Sequence, residues 1–113
     1  MNTVKMYNIA RKDFHEVSML AITNQKLMVD AVFGNDFDME LVGTFKTELS
    51  GERACEQAFD ISNNPGRREV RELIQGRTRS LSVGDVVEIE SEDDDGFVTY
   101  ERYICCDMGW EKE

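Results

Sequence analysis

Four stretches of this chain have the hydrophobic pattern of β-strands, in which apolar side chains recur on one face. These predicted strands cover residues 3–9, 39–46, 86–90 and 97–106. Six residues of loop, 91–96, join the last two, so we predict a β-hairpin there. After it, Met108, Gly109 and Trp110 predict a short returning edge that brings a large aromatic side chain back onto the sheet.

The sequence also predicts one turn before the hairpin and one irregularity within the second strand. Residues 80–85, Ser-Leu-Ser-Val-Gly-Asp, predict the turn that leads into the hairpin. Gly84 supplies backbone freedom there, and Asp85 can accept hydrogen bonds from nearby amides. Within residues 39–46, Gly43 indicates a bulge or a close backbone approach.

Two short helices are predicted between the second and third strands. Ser50 is a good N-cap for the first, which should end near Ile61. Its predicted buried stripe consists of Cys55, Ala58 and Phe59. Asn64 and Pro65 form the N-cap and N1 pair of the second helix, and Gly76 closes it. The apolar face of the second helix consists of Val70, Leu73 and Ile74.

The apolar residues between 16 and 33 admit two interpretations. Residues 17–23 and 26–33 could pair as a hairpin around Asn24 and Gln25, although this turn is weaker than Asn-Gly. Alternatively, residues 16–33 could form one helix, because apolar positions can share a face. We carry the hairpin forward. The whole chain, residues 1–113, is then predicted to be a single α+β domain: a small antiparallel, curled sheet with two short helices packed on one face.

Composition narrows the function classes. The net charge is −10 over 113 residues, which disfavours direct nucleic-acid binding because that binding depends on neutralising phosphates. No apolar run approaches the roughly 20 residues needed to cross a bilayer. There is also no signal-peptide pattern at the start, so we expect a cytoplasmic protein without membrane contact. The chain's oligomeric state is left open by its sequence.

Acidic residues are concentrated around the predicted hairpin loop. They are Glu88, Glu90, Glu92, Asp93, Asp94 and Asp95, followed by Gly96. An EF-hand register fails, because position one would be Ser91 and position twelve would be Arg102 where a Glu is required. A solvated loop whose charges guard a sheet edge is favoured. As a partner-binding surface, the predicted contacts are Glu92, Asp93, Asp94, Asp95, Tyr100 and Trp110.

Five arginines offer an alternative binding face. They are Arg67, Arg68, Arg71, Arg77 and Arg79, interrupted by Glu69 and Glu72. Guanidinium groups grip phosphate oxygens well, so a nucleic-acid-binding module using these residues is the alternative function. A solvated face that balances the acidic excess is the interpretation favoured over it.

Catalytic and metal-binding patterns are not evident. His15 is the single histidine and has no partner that the sequence identifies, and Ser80 and Ser82 lack an identifiable base. Cys55, Cys105 and Cys106 form neither a C-x-x-C pair nor a disulfide framework, and small buried residues in a reducing compartment account for them better. We therefore predict a non-enzyme that uses no cofactor and no metal.

The segment Arg79 to Val86, R-S-L-S-V-G-D-V, with the Gly109-Trp110 pair after the hairpin, resembles the YodL-like domain. The similarity extends to E-L-V at 40–42 and A-F-D-I-S-N at 58–63, and it covers roughly residues 37–111. The long acidic loop departs from the family pattern. That family comprises small proteins and appended modules of bacteria, phages and mobile elements, and no catalytic residue carries over from it.

What the resemblance implies is a phage or mobile-element accessory protein. Combined with the acidic surface, it predicts a small protein that binds a bacterial host protein, in host takeover or defence evasion. The predicted partner is basic, of the kind that itself holds nucleic acid.

Overall fold

The computed structural model describes residues 1–64 and 80–113. Except for Asn64, which forms the C-cap of the preceding helix, the predicted second helix over residues 64–76 lies outside these residues. All five arginines of the alternative binding face also lie outside them.

In the described part of the chain, five antiparallel strands form one open sheet in the order β2-β1-β3-β4-β5. They are β1 (Asn2–Ile9), β2 (Met39–Thr47), β3 (Val86–Glu92), β4 (Val98–Cys106) and β5 (Gly109–Lys112). Every predicted strand is present within two residues of its predicted ends, and the returning edge is β5. The α+β fold class is confirmed.

The described residues contain three α-helices, which are α1 (Phe14–Thr23), α2 (Gln25–Phe33) and α3 (Gly51–Asn63). A short 3-10 helix, Arg11–Asp13, precedes α1. These are the helices of the described residues. α3 packs on one face of the sheet, and α1 with α2 covers part of the other.

The first core lies between α3 and the sheet, and small residues on α3 let the helix lie close to the strands. Ala54, Cys55 and Ala58 are fully buried against Val4 and Met6 of β1 and their neighbours. Phe59 is partly exposed instead, so its predicted place in the buried stripe was wrong. At 3.6 residues per turn, the buried positions centre on Ala58, and Phe59 lies about 100° further round.

The predicted hairpin within residues 16–33 was wrong, and the structure has two helices rather than the single alternative helix. Asn24 separates them with an extended backbone (φ −159°, ψ 87°). Its side-chain oxygen accepts a hydrogen bond from the Leu27 amide at 3.2 Å, which is an N-cap interaction. Asn24 therefore ends α1 and starts α2, where a turn between strands was predicted.

The apolar residues of α1 and α2 form the second core. Val17, Met28 and Val32 are buried against Val86 of β3 and Ile104 of β4. These buried positions of residues 17–33 face the sheet at helical spacing, whereas Met19, Ile22 and Leu27 are exposed.

β2 contains the predicted irregularity beside Gly43. Met6 pairs with Gly43, but Tyr7 pairs with Leu41, so Val42 is an extra residue on β2. This is a β-bulge, and it changes the phase of the strand. Leu41, predicted to share a side with Gly43, is consequently more than half exposed while Gly43 is buried.

The turn at residues 80–85 joins both cores. Gly84 has φ +97°, and a Cβ there would lie 2.4 Å from Cγ1 of Val17. Asp85 is fully buried, and its carboxylate accepts hydrogen bonds from the amides of Ile9 and Ser82, both at 2.8 Å, and from Nδ2 of Asn8 at 3.2 Å. The predicted acceptor role of Asp85 is confirmed. These bonds fix the start of β3, and with it the hairpin that follows.

Candidate functional site

The β3–β4 hairpin is closed by a tight turn built around Asp93. The Asp93 amide donates to the Phe97 carbonyl at 2.9 Å, and the Gly96 amide donates to the Asp93 carbonyl at 3.1 Å. One carboxylate oxygen of Asp93 accepts from the amides of Asp95 and Phe97, both at 2.9 Å. Gly96 has φ +85°, which suits glycine. The Asp93 carboxylate thus holds the turn together.

This hairpin projects beyond its neighbouring strands. β1 pairs with β3 only as far as Thr3 with Glu90, and β5 pairs with β4 only from Tyr103 onward. We call the projecting part, residues 91–101, the hairpin tip. It contains five carboxylates and no basic side chain. Among the described residues, none forms an ion pair with Glu92, Asp94 or Asp95, all of which are exposed.

Apolar side chains are exposed among these charges. Phe97 is 70% exposed, Tyr100 is 60% exposed, and Val98 is 43% exposed. Tyr100 was a predicted contact, whereas Phe97 and Val98 were not. The sequence could have indicated Phe97 and Val98 only by their position. They directly follow the turn, before β4 gains a neighbouring strand on its outer side. Two exposed aromatic side chains thus lie within a strongly acidic surface, which is a feature of binding sites.

Trp110 lies elsewhere, and the structure does not bring it together with the acidic loop. It pairs with Cys105, seven residues along β4 from Val98, which is about 23 Å at 3.3 Å per residue. Its indole Nε1 donates to Oε1 of Glu56 on α3 at 3.1 Å, and its ring packs against the core under that helix. Tyr100 lies on the opposite face of the sheet from Trp110, by the parity of β4.

A cleft of about 570 Å³ lies beside the start of α1 and the end of β1. Its polar lining in the described residues includes Arg11, His15 and Glu40, over apolar side chains such as Ile9 and Val42. His15 is exposed there, as expected for a surface histidine. The described lining has no hydroxyl or thiol side chain.

The surroundings of the three cysteines disfavour their thiolate forms. Burial raises the pKa of Cys55 and of Cys105 to about 12, and nearby carboxylates add to the effect. Burial also raises the pKa of Cys106. All three are free thiols. Because the thiolate is the nucleophile and the metal ligand, these positions favour packing over chemistry.

No cluster of three or more potential metal-ligating side chains occurs in residues 1–64 and 80–113. Over those same residues, no helix is long and apolar enough to span a bilayer. Comparisons with protein-family models, with curated proteins and with solved structures find no match to this chain. The resemblance to the YodL-like domain therefore stays a prediction from the sequence.

Proposed function

We propose that this chain is a non-enzymatic binding protein that uses its hairpin tip to contact a basic bacterial protein. The observation that supports the proposal best is the tip itself, where exposed Phe97 and Tyr100 stand among five carboxylates on a hairpin that extends past the rest of the sheet. Aromatic side chains supply most of the binding energy at many protein interfaces. The surrounding carboxylates would draw a basic partner into contact and reject acidic ones.

The sequence supplies the biological context of the proposal. The YodL-like resemblance favours an accessory protein of a phage or another mobile element, acting in the bacterial cytoplasm in host takeover or defence evasion. A host protein that normally holds nucleic acid is a suitable partner, because its basic surface would complement the tip. Direct nucleic-acid binding through Arg67, Arg68, Arg71, Arg77 and Arg79 is the alternative, and those residues lie outside the described part of the structure.

The test is affinity capture of the tagged protein from bacterial lysate, with and without nuclease. One variant removes the three exposed tip charges that do not hold the turn, with Glu92→Gln, Asp94→Asn and Asp95→Asn. A second replaces the aromatic pair by Phe97→Ala and Tyr100→Ala. A matched control removes three exposed charges from the helical side, with Glu16→Gln, Asp30→Asn and Asp36→Asn.

We expect one stoichiometric protein to survive nuclease, and to be reduced about tenfold or more by either tip variant but not by the control. Trp110→Phe should also leave capture unchanged, because Trp110 lies away from the tip. Loss of all bound material on nuclease treatment would move the function to the arginine residues. Equal loss in the tip variants and the control would show that net charge, rather than the hairpin tip, governs binding.

A further inference from the structure

Among the described residues, the outer edge of β4 has no neighbouring strand at the hairpin tip. Alternate residues of an antiparallel strand direct their N–H and C=O groups to opposite sides. The Phe97 carbonyl and both backbone groups of Cys105 bond toward β3, whereas the Arg102 carbonyl accepts from Glu113 on the β5 side. Val98 and Tyr100 share the parity of Arg102, so their backbone groups face outward. No described strand pairs with them there.

The side chains along this edge are arranged by face. Val98 and Tyr100 lie on one face of the sheet, and Thr99 and Glu101 lie on the other. An added strand would therefore place every second side chain beside Val98 and Tyr100, while its intervening side chains would lie on the face with Glu101. Of the other four tip carboxylates, Glu92 lies on β3 opposite Val98, and Asp93, Asp94 and Asp95 lie in the turn that joins the two strands.

The other long edge of the sheet is less suited to the same interaction. The outer side of β2 is interrupted by the bulge at Val42, and a bulge disturbs the regular spacing that strand pairing requires. A second copy of this chain is also a poor occupant of the β4 edge, because it would bring two sets of five carboxylates together.

We propose that the β4 edge at Val98 and Tyr100 accepts an extended basic segment of a partner protein as an additional antiparallel or parallel strand. The segment has alternating apolar and basic residues: its apolar residues pack beside Val98 and Tyr100, and its lysines or arginines meet the tip carboxylates. The four outward backbone groups provide the pairing, and the side chains provide the selectivity. This inference rests on the proposed function and specifies the partner's recognition segment.

The test uses a defined probe, a short peptide of alternating Lys and Val residues, with an alternating Glu and Val peptide as the charge control. Binding to the purified full chain is measured by titration. The key variant is Val98→Pro, which removes an outward N–H that makes no ladder bond, and proline is tolerated at such edge positions. Val98→Ala is the matched control, because it shortens the same side chain but keeps the N–H.

We expect the Lys-Val peptide to bind and the Glu-Val peptide not to bind. Val98→Pro should weaken the Lys-Val peptide about tenfold, whereas Val98→Ala should weaken it less than about threefold. Amide hydrogen exchange in the unmodified protein gives a readout that does not depend on the variant folding. The amides of Val98 and Tyr100 should be protected on peptide binding, while exchange at the β2 edge stays unchanged.

Equal binding to Val98→Pro and Val98→Ala, together with unprotected amides at Val98 and Tyr100, would overturn strand addition. If host-protein capture still depended on the tip charges in that case, the proposed function would stand and the mode of binding would be wrong. Absence of peptide binding, with self-association that Val98→Pro abolishes, would assign the edge to a second copy and also overturn the proposal.

Discussion

Replacing the buried Asp85 by alanine should cost far more stability than replacing the exposed Asp93, although the two carboxylates make similar bonds. Each accepts hydrogen bonds from two backbone amides, at 2.8 Å for Asp85 and 2.9 Å for Asp93. Asp85 also accepts from the side chain of Asn8. Burial is the main difference, since Asp85 is fully buried and Asp93 lies at the exposed hairpin tip.

The magnitude follows from what each substitution leaves behind. Asp85→Ala removes the acceptor of the Ile9 amide, which is buried, and of the Ser82 amide, which is partly buried. An unsatisfied buried group costs about 1–3 kcal/mol, so the two together cost up to about 6 kcal/mol. Removing a buried carboxylate also relieves part of its own desolvation cost. We therefore expect a loss of about 3–4 kcal/mol in the free energy of unfolding. Water can replace the Asp93 carboxylate, so Asp93→Ala should cost about 0.5–1.5 kcal/mol.

The assay is urea denaturation followed by circular dichroism, with the slope of the transition checked for a two-state change. Asp85→Asn keeps one acceptor oxygen, so its free energy of unfolding should lie between that of the unmodified protein and that of Asp85→Ala. It also keeps the comparison usable if the alanine variant does not fold. A loss for Asp85→Ala no larger than that for Asp93→Ala would refute the argument from burial.

Two other predictions concern the same turn and the thiols. Gly84→Ala should destabilise the protein by about 1–3 kcal/mol more than Gly96→Ala. Both residues have positive φ, but an added Cβ at Gly84 would clash with Val17 at 2.4 Å, whereas at Gly96 it would lie at an ordinary contact distance, 3.9 Å from Oε1 of Glu92. Equal losses in urea denaturation would contradict the clash. Burial raises the pKa of Cys55 and Cys105 from 9.0 to about 12, so the unfolded chain releases these protons at lower pH than the folded chain does. The stability that the two thiols contribute is therefore complete below pH 9.0 and declines as pH rises toward 12. Urea midpoints measured from pH 8 upward should show this decline, and a flat profile would contradict it.

Strands were the most predictable part of the fold, because their apolar residues recur on one face and short polar turns separate β3, β4 and β5. The hairpin of β3 and β4 follows from the acidic loop and Gly96, and β5 follows from Gly109 and Trp110. Residues 17–33 were less predictable. Their apolar residues fit either period, and one N-cap bond, which the Asn24 side chain accepts from the Leu27 amide, distinguishes two helices from the alternatives. Such a bond depends on backbone geometry that residue pattern alone does not specify.

The candidate site was predictable in charge but only partly in position. The acidic loop and Tyr100 lie together at the hairpin tip, as their spacing along the chain suggested. Trp110 does not join them, because β5 returns beside the far end of β4 and the ring packs toward α3. Phe97 and Val98 were missed because their exposure depends on how far β1 and β5 extend beside the hairpin. That extent is a property of strand register, which requires the three-dimensional pairing.

The strand order of the sheet has a consequence for how the chain folds. β1 lies between β2 and β3, and Lys5 pairs with Glu88, which is 83 residues further along the chain. Closing so large a loop costs entropy before any pairing rewards it, so folding dominated by such contacts is slow. Synthesis makes β1 before the other four strands, yet β1 obtains its second neighbour only after β3 has been added. The first strand to be made is thus enclosed late, and until then its edge is open to incorrect pairing.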